Sequence, residues 1–121
     1  PVENDVAILV DANSRSAAEL TPAALQEARR AVVVGEPTAG AVLISQETGL
    51  PDGGRLSLSR ADFVTSGGVR LEKRGLTPDL AAIQTLEDRR AGRDPALDAA
   101  LAALQMNRYT AATSTAEASA L

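Results

Sequence analysis

The sequence predicts a mixed α/β fold, in which a parallel βαβ unit is followed by antiparallel hairpins and a C-terminal helix. Residues 6–10 and 31–34 are short apolar runs typical of strands covered on both faces, and a helical pattern separates them. From residue 55 onwards, alternating residues and glycine-rich turns replace such runs. The first half therefore predicts parallel strands, and the second half predicts antiparallel ones.

The first helix is expected over residues 16–30, because Leu20, Ala24 and Ala28 recur near one helical turn. Pro22 falls within this helix, where a proline costs about 3 kcal/mol. We therefore expect Thr21 and Pro22 to cap and restart the helix after a short turn. The order strand, helix, strand predicts a βαβ unit with a parallel strand pair.

The second half contains several short extended segments. The apolar run at 41–44 predicts a third strand, and the sequence LPDGG at 50–54 predicts a turn. At 55–60, leucine alternates with serine, which predicts a half-exposed antiparallel strand. Residues 61–65 predict a further strand, which a turn at 66–68 joins to a short extended piece at 69–71.

The last helix is expected to begin at Asp94, as N-cap, with Pro95 as its first residue. Three leucines then recur on one face: Leu97, Leu101 and Leu104. We expect one domain over residues 5–105. The segment 106–121 is rich in Ala, Ser and Thr, with little to bury, and predicts a mobile tail.

Composition excludes several function classes. With 12 basic and 16 acidic residues the net charge is −4, which predicts no nucleic-acid partner. The chain has no cysteine and no histidine, so we expect no metal, no cofactor and no self-contained Ser-His-Asp triad. No apolar stretch approaches the ~20 residues of a membrane span. Because the chain begins at Pro1 and enters a strand almost at once, we expect it to be an excised piece of a longer protein. The sequence leaves the oligomeric state open.

Ser16 lies at the turn between the first strand and the first helix, and two roles fit it. Ser16 and Glu19 have the spacing of a capping box, which opens many ordinary helices, and the stretch on its own favours this role. The other role is that of a nucleophile at the carboxyl end of a buried strand, where open α/β sheets bind ligands. There the N–H of Ala17 and the positive helix end would stabilise an oxyanion, but a serine also needs a base.

Four segments resemble, in order and spacing, the carboxyl-terminal processing (tail-specific) serine proteases and the related tricorn core. They are SRSAAEL at 14–20, RRAVVVGEPTAGA at 29–41, LPDGGRLSL at 50–58 and RLEKRGLTPDL at 70–80. The closing GRDPALDAALAAL is similar to the family's terminal helix. The resemblance implies a ClpP/crotonase-like core, with residues 5–105 as the C-terminal part of the peptidase domain.

The resemblance also implies residue roles. Ser16, rather than Ser14, is the nucleophile, and it would form an acyl-enzyme during hydrolysis of peptide bonds in C-terminal segments of polypeptides. The N–H of Ala17 is one oxyanion donor, and an upstream part of the same protein supplies the other. The family's processing enzymes often work outside the cytoplasm, while this sequence leaves the compartment open.

The general base is where this sequence departs from the family's processing branch. Ala41 stands where that branch carries its lysine, and GEPTAGA is more similar to the tricorn-related branch. That branch takes its base from an upstream histidine supported by a glutamate, here Glu72, whose alternative role is a solvated strand-end carboxylate. Lys73 is the other candidate base, although the family commonly has a non-catalytic charge there. The isolated chain is therefore expected to be inactive.

A second function also fits the same fold. Relatives of the family include retinoid-binding modules, and the absent lysine and histidine agree with a non-catalytic ligand- or peptide-binding module. The GEPTAG turn needs tight backbone geometry, so we expect a structural role for Gly35, Pro37, Thr38 and Gly40. An acyl-CoA enzyme of the crotonase type has no support beyond the fold class.

Overall fold

The computed structural model describes residues 4–119, with side chains described for residues 4–107. Over that range it contains five strands and three helices: β1 (Ala7–Val10), α1 (Ala17–Glu27), β2 (Val32–Gly35), β3 (Ile44–Gly49), β4 (Arg55–Ala61), β5 (Leu80–Ala81), α2 (Leu86–Arg90) and α3 (Pro95–Ser119). This mixture of parallel strands, an antiparallel hairpin and helices confirms the predicted α/β class.

Strands β1, β2 and β5 form a parallel sheet in the order β1-β2-β5. β1 pairs with β2 from Ala7 opposite Val32 to Val10 opposite Gly35, and α1 connects the two strands. The predicted βαβ unit is therefore confirmed. A Cβ on Gly35 would lie 1.9 Å from the carbonyl oxygen of Val10, so only glycine fits at the end of β2.

Helix α1 runs from Ala17 to Glu27 without a break, with Pro22 inside it. The predicted restart at Thr21 and Pro22 is therefore wrong. Proline removes one N–H from the helix, and the carbonyl that loses its donor belongs to Ala18, four residues earlier. Because Ala18 is exposed, water can hydrate this carbonyl while the Pro22 ring stays buried.

The hydrophobic core lies where α1, the parallel sheet and two later segments meet. Its buried residues come from β1, α1, β2, the loop after β2 and the segment before β5: Val10, Ala23, Val33, Val42, Leu71 and Leu76. The two later segments are residues 36–42 and 71–76. The core therefore brings both of them close to the connection between β1 and α1.

Strands β3 and β4 form an antiparallel hairpin around the predicted turn at 50–54. The expected strand at 41–44 is wrong over most of its length, because β3 begins only at Ile44. Val42 is buried in the core as part of the preceding loop. The expected half-exposed pattern of β4 is also wrong. Both faces of this strand are exposed, including Leu56 and Leu58, at 41% and 46%.

Residues 61–71 form a smaller turn structure than predicted. The expected strand at 61–65 is reduced to one bridge, between Val64 and Arg70. The buried Thr65 side chain accepts from the N–H of Val69 at 3.0 Å, and its backbone N–H donates to the carbonyl of Val69 at 2.9 Å. These local bonds close the predicted turn and compete with a longer ladder.

Two short elements were not predicted. β5 pairs with β2 in parallel, Val34 opposite Leu80, so the second half is not wholly antiparallel. Helix α2 begins with a capping box, in which Thr85 and Asp88 each accept from the other's backbone N–H. The Thr85 hydroxyl, followed by the Thr85 N–H and the Arg93 side chain, donates to the Asp88 carboxylate and lowers the pKa of Asp88 to about 2.

Helix α3 begins as predicted, since Asp94 accepts from the N–H of Leu97 at 3.0 Å and Pro95 is the first helical residue. It packs against β1 and β2, with Ala100 buried and with Leu97 and Leu101 exposed. The leucine face that the sequence predicts is therefore not the buried face.

The same helix runs to Ser119, into the segment predicted as a mobile tail. The mobility of that tail stays a prediction, and its residues 120–121 lie outside the described residues. Within the described part of the chain, no helix is long and apolar enough to cross a membrane.

Candidate active site

Ser16 lies at a strained turn between β1 and α1. Its φ of 55° and ψ of −125° fall outside the ordinary regions for an L-residue. Such a conformation costs about 1–3 kcal/mol and persists only where the surrounding structure holds it. Strain of this kind clusters at active sites, which makes the turn at Ser16 a candidate site.

Asp11 binds the backbone of the residues that lead into this turn. Its carboxylate accepts from the N–H of Asn13 at 2.8 Å and from the N–H of Ser14 at 3.0 Å. The Asn13 bond is the strongest of the influences that lower the pKa of Asp11. Asp11 therefore stays ionised and folds the chain back immediately after β1.

The predicted capping box at Ser16 is wrong. The Ser16 side chain makes no capping hydrogen bond, and its backbone N–H donates to the carbonyl of Ala41 at 3.0 Å. The Glu19 carboxylate points into the protein, where its side chain is fully buried. Because the hydroxyl of Ser16 is not used as a cap, that alternative to a chemical role is removed.

Glu19 binds the loop after β2, which we define as residues 36–42. One carboxylate oxygen accepts from the Thr38 hydroxyl and from the N–H of Gly40 at 2.7 Å. The other accepts from the N–H of Ala41 at 2.9 Å. Burial raises the pKa of Glu19, but the bonds from Thr38, Ala41 and Gly40, with a weaker influence from the Ser16 N–H, outweigh it and lower the pKa below 4.5.

Glu72 also binds at this loop. Its carboxylate is half-buried and accepts from the N–H of Val42 at 3.0 Å. It lies in the turn that follows Leu71, not at the end of a strand. Ser16 and Glu72 therefore bind neighbouring residues of the same loop, because Ser16 bonds to Ala41 and Glu72 bonds to Val42.

The remaining predicted site residues lie around the same loop. Ala17 is the exposed first residue of α1, where an N–H has no partner within the helix. Lys73 has a φ of 61°, and its backbone N–H donates to the carbonyl of Gly40 at 2.8 Å, while its side chain is exposed. Ala41 is exposed and carries no ionisable group.

An open cleft of about 330 Å³ lies beside the turn, at the carboxyl ends of the parallel strands. Its polar lining consists of Asp11, Asn13, Ser14, Glu36, Gln84, Arg89 and Asp94. Open α/β sheets bind their ligands at this edge. Over the residues that the structure describes, no group of three or more acidic side chains is placed to hold a metal ion.

Comparison with known proteins identifies the family. The profile of peptidase family S41 matches residues 2–82. The chain belongs to peptidase family S41. S41 is a family of serine peptidases, so this match confirms the resemblance carried by the four sequence segments.

The S41 chain is similar to several longer proteins. It is 32% identical over 95 residues to the carboxy-terminal-processing protease of Bartonella bacilliformis, covering 78% of this chain and 22% of that protein. Its structure matches the photosystem II D1 C-terminal processing protease with a TM-score of 0.60 and 32% identity, covering 65% of this chain and 20% of that one. Tricorn protease matches with a TM-score of 0.77 over 86% of this chain and 10% of that one; at 21% identity this shows the fold alone.

The S41 chain thus spans about a fifth of the curated relative from Bartonella, at 22% of its length. The structural matches confirm the predicted ClpP/crotonase-like core. The sequence interpretation missed the role of Glu19 at the loop after β2. Glu19 shares a helix face with the apolar Pro22 and Ala23, three and four residues later, and the capping-box spacing masked this signal.

Proposed function

We propose that this chain carries the nucleophile of a serine peptidase that hydrolyses peptide bonds in C-terminal segments of polypeptides. The observation that carries the proposal is the strained turn at Ser16, at the carboxyl end of β1 and the start of α1, in a chain of family S41. A serine held in this conformation has its hydroxyl free of any capping bond. The names of two relatives, the carboxy-terminal-processing protease of Bartonella and the photosystem II D1 C-terminal processing protease, support C-terminal polypeptide segments as the substrate class.

In the proposed reaction, the Ser16 oxygen attacks the carbonyl carbon of the substrate peptide. A base removes the hydroxyl proton as the O–C bond forms, and the carbonyl electrons move to its oxygen. The N–H of Ala17 and a second donor from upstream in the protein stabilise that oxyanion. When the C–N bond breaks, the protonated base gives its proton to the leaving amine. Water then attacks the acyl-enzyme with the help of the same base, which releases the carboxylic acid and restores Ser16.

The base comes from outside these 121 residues in this proposal. Ala41 has no titratable group, and the chain has no histidine. Glu72 would orient an upstream histidine, because its carboxylate is fixed on Val42, one residue from the Ala41 carbonyl that binds Ser16. The isolated chain would then fold the nucleophile without activating it.

The test uses the complete protein that contains this chain. Ser16→Ala should abolish hydrolysis of peptides with unstructured apolar C-termini, while circular dichroism stays unchanged. A diphenyl phosphonate probe should label Ser16 in the wild type and should still label the Ser14→Ala control. Wild-type hydrolysis by Ser16→Ala would end the proposal.

A non-catalytic binding module is the second candidate, favoured by Ala41 at the position of the processing branch's lysine. The same labelling experiment separates the two functions. A module would leave Ser16 unlabelled and would bind an apolar ligand or peptide tightly. The cleft beside β1 is open and polar, whereas an apolar ligand prefers an enclosed apolar pocket.

A further inference from the structure

We propose that Glu19 is a positioning residue of the peptidase reaction, which holds the loop after β2 so that this loop fixes both Ser16 and Glu72. The inference rests on the proposed function, because it assumes that Ser16 is the nucleophile. Glu19 itself does not reach the substrate, since it is fully buried beneath the turn. It acts through the backbone of residues 38–42.

Three donors of one loop converge on the Glu19 carboxylate: the Thr38 hydroxyl and the N–H groups of Gly40 and Ala41. The Thr38 oxygen also accepts from the N–H of Leu76 at 2.7 Å. Glu19 therefore joins helix α1, the loop after β2 and the segment before β5. Three hydrogen bonds to one buried carboxylate are strong, because each is charge-assisted.

The loop held by Glu19 contacts the turn at Ser16 in two places. The N–H of Ser16 donates to the carbonyl of Ala41 at 3.0 Å, and the N–H of Ala39 donates to the carbonyl of Ser14 at 3.1 Å. Glu19 lies three residues after Ser16 along α1, so it closes a ring from the helix through the loop and back to the turn. This ring is what keeps Ser16 in its strained conformation.

The other side of the loop contacts the segment that carries Glu72. The N–H of Val42 donates to the Glu72 carboxylate, and a Cβ on Gly40 would lie 2.7 Å from the backbone nitrogen of Gly75. A Cβ on Gly75 would lie 2.3 Å from the carbonyl oxygen of Thr38. The two segments touch through bare backbone, so a displacement of the loop moves Glu72 as well.

The negative charge of Glu19 is essential to this arrangement. A carboxylate can accept from all three donors, whereas a glutamine amide has only one accepting oxygen. In either orientation, Glu19→Gln would turn an NH₂ group toward a backbone N–H, of Ala41 or of Gly40. That substitution preserves the shape of the side chain and breaks the loop contact.

The experiment compares four variants of the complete protein: Ser16→Ala, Glu19→Gln, Thr38→Val and Thr38→Ser. A control, Glu27→Gln, makes the same substitution on α1 at an exposed carboxylate that bonds to Gly67, away from the loop. The kcat and KM for a peptide substrate, the rate of phosphonate labelling at Ser16 and the Tm are measured for each.

Glu19→Gln should lower kcat and the labelling rate about 10²-fold, the typical effect of misplacing a reacting group by about 1 Å, while KM changes little. Thr38→Val should lower kcat about tenfold, because it removes the bond to Glu19 and the bond from the N–H of Leu76, and Thr38→Ser should restore it. Glu27→Gln should behave as the wild type.

A folded Glu19→Gln with wild-type kcat, next to an inactive Ser16→Ala, would overturn this inference and leave the proposed function intact. An active Ser16→Ala would overturn both. If Glu19→Gln does not fold, Thr38→Val decides: wild-type kcat in that variant, or failure of Thr38→Ser to restore it, overturns the positioning role.

Discussion

The backbone N–H of Ser16 donates to the carbonyl of Ala41 at 3.0 Å, which joins the first residue before α1 to the loop after β2. This bond spans 25 residues of chain and lies at Ser16, whose φ is 55°. The bond uses only the backbone carbonyl of Ala41. The loop can therefore hold the turn although position 41 carries alanine instead of the processing branch's lysine. Conformation at Ser16 and chemistry at position 41 are therefore separable.

Relief of the strain at Ser16 gives a first prediction. Ser16→Gly should stabilise the fold by about 1 kcal/mol, because glycine tolerates a φ of 55° and the 1–3 kcal/mol of strain exceeds the 0.5–1 kcal/mol entropy cost of glycine. The matched control is Ser14→Gly, which should destabilise, since Ser14 has no positive φ and its hydroxyl accepts from the N–H of Asp11. Urea unfolding measures both. A destabilised Ser16→Gly would contradict the strain.

Close packing of two backbones gives a second prediction. Gly40→Ala should destabilise the fold by about 3 kcal/mol, since its Cβ would lie 2.7 Å from the Gly75 nitrogen and its φ is +68°. Gly53→Ala is the control, because Gly53 has a φ of +86° and nothing within 4 Å of its Cβ position. It should cost about 1 kcal/mol from strain alone. Equal losses in chemical denaturation would show that the close approach has no effect.

Local sequence signals account for the elements that were predicted. β1, α1 and β2 each have their own apolar pattern, and Asp94 with Pro95 marks the start of α3. β5 has no such pattern. It exists because Asp79, just before it, exchanges hydrogen bonds with the backbone of Val33, 46 residues away.

Ser16 and Glu72 are candidates from the sequence, whereas the hydrogen bonds that hold them could not be predicted from it. The spacing of Ser16 and Glu19 matches a capping box, yet the box that forms is at Thr85 and Asp88, where both side chains are exposed or half-exposed. Glu19 instead faces the interior, where the donors of the loop after β2 satisfy its charge. Partners 19 to 22 residues apart cannot be found from local spacing.

The lowered pKa of Glu19 gives a third prediction, on stability against pH. The folded state favours the ionised carboxylate, so its contribution is fully present above the ordinary pKa of 4.5 and is lost as pH falls through the lowered folded value. Asp11 and Asp88 also have lowered pKa values, so only a difference isolates Glu19. The stability gap between wild type and Glu19→Gln should shrink from about pH 6 to pH 3. A gap independent of pH, measured by guanidinium unfolding, would contradict this.

The fourth prediction concerns Glu72 and the identity of the base. If Glu72 orients an upstream histidine, Glu72→Gln in the complete protein should lower kcat at least 10²-fold with little change in KM, because an imidazolium loses its stabilising charge. The acid limb of the pH profile of kcat/KM should also move to lower pH, since removing a nearby carboxylate lowers a histidine pKa. Glu47→Gln is the control, an exposed carboxylate paired with Arg55 on the hairpin, and should match the wild type. If Lys73 were the base instead, Lys73→Met would abolish hydrolysis and Glu72→Gln would leave the acid limb in place.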